Sequence, residues 1–178
     1  MQANWPGIVL MGVVALSAVS AARADEGCLD FKWDVAKERA LFAGTHTSLA
    51  AGTDLKSAPA VLPERAYALK LAPQPQVTFA AVPGRNPGGN PTFAGLVTLK
   101  VPQTGDYRIS IDLPFWIDVV SGGKLLSPRD FQGQHSCSAP HKIVEFELTA
   151  ASELVLQFSN GAADNVIVAV TAAPQRKL

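Results

Sequence analysis

The feature that most constrains this chain is a series of short runs with a period of two. From Tyr67 onward the sequence reads YALKL, VTFAA, FAGLVTLKV, DYRISIDL, WIDVV, KIVEFEL, ELVLQF and NVIVAV, with Pro, Gly, Asn and Ser between the runs. Apolar residues alternate at Val97, Leu99, Val101; at Tyr107, Ile109, Ile111; and at Val144, Phe146, Leu148. Such a period turns one face of a strand to a core and the other to water. About eight such strands, without alternating helices, predict an all-β fold: an antiparallel β-sandwich or jelly roll.

Before these strands the pattern changes. CLDFKWDVAKERALFAG holds the one helix signal, with Asp34 as cap and Gly44 as stop, and Leu29, Phe31 and Trp33 suggest a short strand leading into it. Residues 45–65 lack periodicity and read as an irregular surface wrap. The expected organisation is a signal peptide over 1–24, then one globular domain in which a helix and wrap (25–66) accompany a sandwich (67–174). PGRNPGGNPTF, residues 83–93, reads as a long mobile loop. It lacks the strand-before, helix-after setting of a phosphate-cradling loop.

The first 24 residues predict export. Ile8 to Val19 is almost wholly apolar, too short for a bilayer core that needs about 20 residues. Ala22-Arg23-Ala24 supplies the small residues of a cleavage site before Asp25. No Lys or Arg precedes the apolar run, which departs from the usual signal. Cleavage would remove Arg23 and leave 14 basic against 15 acidic residues, a net charge of −1. No basic stripe remains for nucleic acid, and no apolar stretch long enough to span a membrane.

FQGQHSCSAPHK, residues 131–142, holds one of only two cysteines. In an oxidising compartment an even count reads first as a disulfide, here Cys28 with Cys137. That bridge would close a loop of more than 100 residues. A metal reading competes with it. His135, Cys137 and His141 could accept zinc or copper with a fourth donor from Glu145 or His46. Alternatively, His135, His141 and Glu145 could hold Fe2+ as two histidines and a carboxylate. The plain alternative is a polar loop with solvated histidines. A cysteine nucleophile needs a free thiolate, which an exported two-cysteine chain does not favour.

Two further patterns stand out. Residues 97–111 lie on residues 144–158 without a gap: Val97 meets Val144, Leu99 meets Phe146, Tyr107 meets Leu154 and Ile111 meets Phe158. Each stretch reads as a hairpin-like strand, tight connection and strand. Two Greek-key halves would give this match, and so would any two amphipathic segments. Second, Asp112 and Asp118 flank Trp116, an arrangement that would suit a sugar site; the alternative places Trp116 in the core and the aspartates outside. No Ser-His-Asp or paired-acid arrangement can be picked out.

TGDYRISIDLPFWIDVVSGGK resembles the small secreted sandwiches of the pre-peptidase C-terminal type. Gly105-Asp106-Tyr107 stand where those modules open a strand after a turn, and Ile117-Asp118-Val119-Val120 where a later strand carries its aspartate. The resemblance covers roughly residues 93–171 and implies an accessory module without catalytic residues. Through Cys28, Trp33, Glu38-Arg39, WIDVV, Cys137 and Phe158-Ser159-Asn160, the mature chain is also similar to short exported alphaproteobacterial proteins. Some of these carry the label homogentisate 1,2-dioxygenase. That label would imply a ring-cleaving non-haem iron enzyme using two His and one Glu. The expectation from the residues themselves is an exported, non-catalytic sandwich with no cofactor, binding an envelope partner or a glycan.

Overall fold

A computed structural model describes residues 27–86, 88 and 92–174; the expected signal peptide over 1–24 lies outside them. Among the described residues, twelve strands form two sheets packed face to face. They are β1 (Thr47–Ala50), β2 (Ala60–Val61), β3 (Arg65–Lys70), β4 (Ala72–Pro73), β5 (Phe93–Leu99), β6 (Gly105–Ile111), β7 (Trp116–Ser121), β8 (Lys124–Leu125), β9 (Asp130–Gly133), β10 (Lys142–Leu148), β11 (Leu154–Gly161) and β12 (Asn165–Ala172). The first sheet runs β1-β3-β12-β6-β10-β9. The second runs β2-β5-β11-β7-β8, with β4 also on β5. The fold is an all-β sandwich.

Alternation explains the core. Val97, Leu99, Ile109, Ile111, Val119, Val144, Phe146, Leu148, Leu156 and Phe158 point between the sheets and are buried. Their period-two spacing leaves Leu96, Val120 and Val155 on the outer face of the second sheet. Truncating a side chain as enclosed as Phe146 to Ala costs about 3–5 kcal/mol.

The aligned stretches are not hairpins. β5 lies in the second sheet and β6 in the first, while β10 lies in the first and β11 in the second. The connections over 100–104 and 149–153 therefore cross between layers, and Val101 is buried on the way. Each stretch pairs with the other one. Leu99 faces Leu154 on β5·β11, and Gly105 faces Leu148 on β6·β10, so the two crossings run in step. Alternation specifies which face of a strand is buried, but not which sheet the strand joins. That is why the hairpin reading failed while the core residues held.

Other expectations also change. VTFAA is not a strand. Residues 77–81 form a strap over the outer face of the second sheet, where Val77, Phe79, Ala80 and Ala81 cover Leu96, Val120 and Val155. The Gln157 side chain takes the place of a ladder partner for the strap: Ala81 N–H donates to its Oε1 (3.3 Å) and its Nε2 donates to Ala81 O (3.1 Å). The wrap over 45–65 is partly regular, because β1 and β2 add parallel edge strands to β3 and β5. A 3₁₀ turn at Gly27–Asp30 replaces the short strand expected before the helix.

The helix itself forms as α1 (Ala36–Ala43). The Asp34 carboxylate accepts the Ala36 N–H (2.9 Å), and Gly44 N–H donates to Leu41 O (3.2 Å). α1 and the residues before it cover the outer face of the first sheet, with Phe42 against Ala66 and Ala169, and Phe31 and Val35 beside Ile143. The Cys28–Cys137 disulfide ties this cover to the loop after β9, at a Cα–Cα distance of 4.7 Å. Among the described residues no helix is long and apolar enough to cross a membrane.

Candidate functional site

At the end of the sandwich where β7 and β10 begin, a cavity of about 680 Å³ opens. That is within the range of about 300–1,000 Å³ usual for small-molecule sites. Its apolar wall includes Phe115, Ile117, Phe131 and Val144; its polar wall includes Arg85, Asn86, His135, His141, Lys142 and Asn160, with Trp116 beside them. Phe115 lies flat against Gly161, where any Cβ would overlap its ring. A glycine at that position is what lets the aromatic form the floor.

Trp116, the first residue of β7, is half-buried and faces this cavity. It is held by Asp118 two residues on, whose Oδ1 accepts the indole N–H (2.9 Å). Oδ2 of the same carboxylate accepts Gly84 N–H (3.1 Å) and an N–H of the Gln157 amide (3.3 Å). Asp118 is thus buried and spent on orientation. Two cations flank the indole. Lys142 Nζ is 4.9 Å from the ring centroid and the Arg85 guanidinium carbon 5.8 Å, both within cation–π reach.

Lys142 also donates to Phe115 O (3.2 Å). Burial pushes its amine below the usual 10.5, repulsion by Arg85 pushes the same way, and Asp118 partly opposes both. His135 and His141 stand edge to face, with ring centroids 5.0 Å apart. Burial lowers the His141 imidazole from its ordinary 6.5. His135 and Lys142 add repulsion, and Asp112 pulls the other way.

Of the proposed sugar-site trio, Trp116 lines the cavity and Asp118 braces it from behind. Asp112 is absent from the lining. It accepts Ile167 N–H (2.8 Å), and desolvation raises its carboxyl above 3.8. Trp116 is therefore not a core residue; Asp118 braces it, and Asp112 lies outside the lining.

The iron triad does not assemble. His135 and His141 meet at the cavity, but Glu145 lies on the outer face of β10, 2 % exposed, and accepts from Arg108 Nε (3.3 Å). The alternation that places Val144 and Phe146 inside turns Glu145 away. Cys137 is in the disulfide, which removes the thiolate from the zinc or copper set. The remaining named donor, His46, has its Nε2 2.9 Å from Phe42 O. Among the described residues no three His, Cys, Asp or Glu side chains gather as a metal would require. These residues do not fit an Fe2+ centre.

The sequence reading missed Arg85, Lys142 and Asn160. For Lys142 a signal was present: it shares the parity of Val144, Phe146 and Leu148, so a strand there turns a lysine toward the core. Arg85 and Asn160 gave none, being brought in by a proline-rich loop and a strand end.

The fold and site define an all-β sandwich with an aromatic, cation-lined cavity at one end. No family model matches the chain, and no curated protein matches it. One solved structure similar to part of it is a β-glucosidase from Kluyveromyces marxianus in complex with glucose. The TM-score is 0.29 at 14 % identity, over 48 % of this chain and 10 % of that one. The chain thus spans about a tenth of that enzyme's length, and a likeness so slight carries no argument.

Proposed function

We propose that this protein is an exported, non-catalytic binding module of the cell envelope, and that the end cavity around Trp116 takes a glycan. One observation carries the reading: a braced indole beside a cavity that is also lined by Asn86, Arg85 and Lys142. Aromatic surface with a few convergent polar groups is the usual make-up of a small-ligand site. Export is supported by the leader sequence and by the disulfide, which suits an oxidising compartment. The resemblance to secreted accessory sandwiches agrees with this role. A segment of an envelope protein is the other occupant considered at the sequence level.

Trp116→Ala tests the proposal. Retention on polysaccharide should be lost while the melting temperature stays close to that of the parent, because the indole is only half-buried. Loss of both together, or undiminished retention, would refute it.

A further inference from the structure

The cavity carries an excess of positive charge, with Arg85 and Lys142 set against the single carboxylate of Asp118 behind the indole. Arg85 and Lys142 are near enough to repel each other, and no aspartate or glutamate is among the described residues of the lining. Asp118, the acid that attracts Lys142, has its two oxygens occupied by three donors from Trp116, Gly84 and Gln157. The indole holds both cations in place, and the His135–His141 pair stands in the same wall. Crowding like charges around half-buried aromatic surface is unfavourable without a counter-charge.

We propose that the ligand is an acidic glycan, whose carboxylates are held by Arg85 and Lys142 while its ring atoms lie against Trp116 and Phe115. This deepens the glycan reading and rests on it. The guanidinium supplies the planar fork that matches a carboxylate, and Lys142 a point charge beside it. Asn86 stands in the same polar wall for the sugar hydroxyls. The backbone carbonyls of Arg85 and Asn86 are 3.1 and 3.5 Å from Asn160 Nδ2, so the loop that carries the guanidinium is fastened to the end of β11.

The test uses the purified protein and oligogalacturonates of one length in two forms, the free acid and the methyl ester, beside a panel of other hexuronate and neutral oligosaccharides. Titration calorimetry in low salt reads affinity. A free acid should bind at least ~10-fold more tightly than its ester, as loss of charge-assisted hydrogen bonds predicts, and raised salt should weaken it. Arg85→Gln and Lys142→Met should each erase most of that preference, and Lys124→Gln, on exposed β8, should not.

Melting temperatures of the variants guard against misfolding. Arg85, on a loop outside the core, keeps the test valid if Lys142→Met proves unstable. Equal or tighter binding of neutral sugars would overturn the charge assignment and leave the glycan reading standing. Binding to no sugar on the panel would overturn both. Binding of hexaglutamate in place of any sugar would assign the cavity to an acidic protein segment and overturn the glycan.

Discussion

Two polar clusters of this protein contain buried or half-buried cations, and they are built in opposite ways. Under α1, on the outer face of the first sheet, Arg108 is 6 % exposed and fully answered. It donates to Glu145 and to Asp34 O (3.1 Å), lies 3.7 Å from Glu38, and stacks on Trp33. Thr171 Oγ1 donates to the same Glu38 carboxylate (2.6 Å). At the cavity, Lys142 and Arg85 share an indole and repel each other. A cation closed off among two acids glues a cover onto a sheet; the two cations beside the cavity have only the Asp118 carboxylate near them. The disulfide connects the two regions, since Cys28 belongs to the cover and Cys137 lies between the two cavity histidines.

The largest expected effect tests the closed cluster. Arg108→Ala removes the cation shared by two buried acids, Glu38 and Glu145, and should cost on the order of 3 kcal/mol, read by chemical denaturation. A cost below about 1 kcal/mol would mean that the cover is not held by this network.

Next comes the bridge. Replacing Cys28 and Cys137 together by Ser should cost about 2–4 kcal/mol. It should also weaken binding of the acidic glycan, because the histidine loop loses its anchor. Reduced stability with unchanged affinity would separate the clusters that the comparison joins.

The smallest effect belongs to His141, faced by His135, Lys142 and Asp112. Its imidazole is depressed in the fold, so the unfolded chain takes up the proton first as pH falls below about 6.5. Stability present above that value is therefore lost on acidification. The melting temperature should decline slightly from pH 7.5 to 5.5, and less so in His141→Gln. Bound acidic glycan favours the protonated ring and should shrink the decline. An identical pH profile in parent and variant would remove His141 from the account.

Much of this protein was legible in the residue pattern. Alternation identified seven of the strand segments and most of the buried side chains, because burying one face of a strand is a local demand that each segment states for itself. The cysteine pair was legible because an even count of two thiols, expected in an oxidising compartment, reads first as a bridge. VTFAA misled because a strap pressed on a sheet needs the same apolar residues as a strand, while its Ala81 backbone is partnered by a distant glutamine side chain and not by a ladder.

What only the tertiary structure decided is the company each polar group keeps. His135, His141 and Glu145 are neighbours in sequence, yet the pleat of β10 turns Glu145 to Arg108 while the loop before β10 brings the histidines to the cavity. Arg85, Trp116 and Lys142 are far apart in sequence and meet only because two sheets close over a common core. Periodicity selects a face; the field around a charge is set by whatever long-range packing brings to that face.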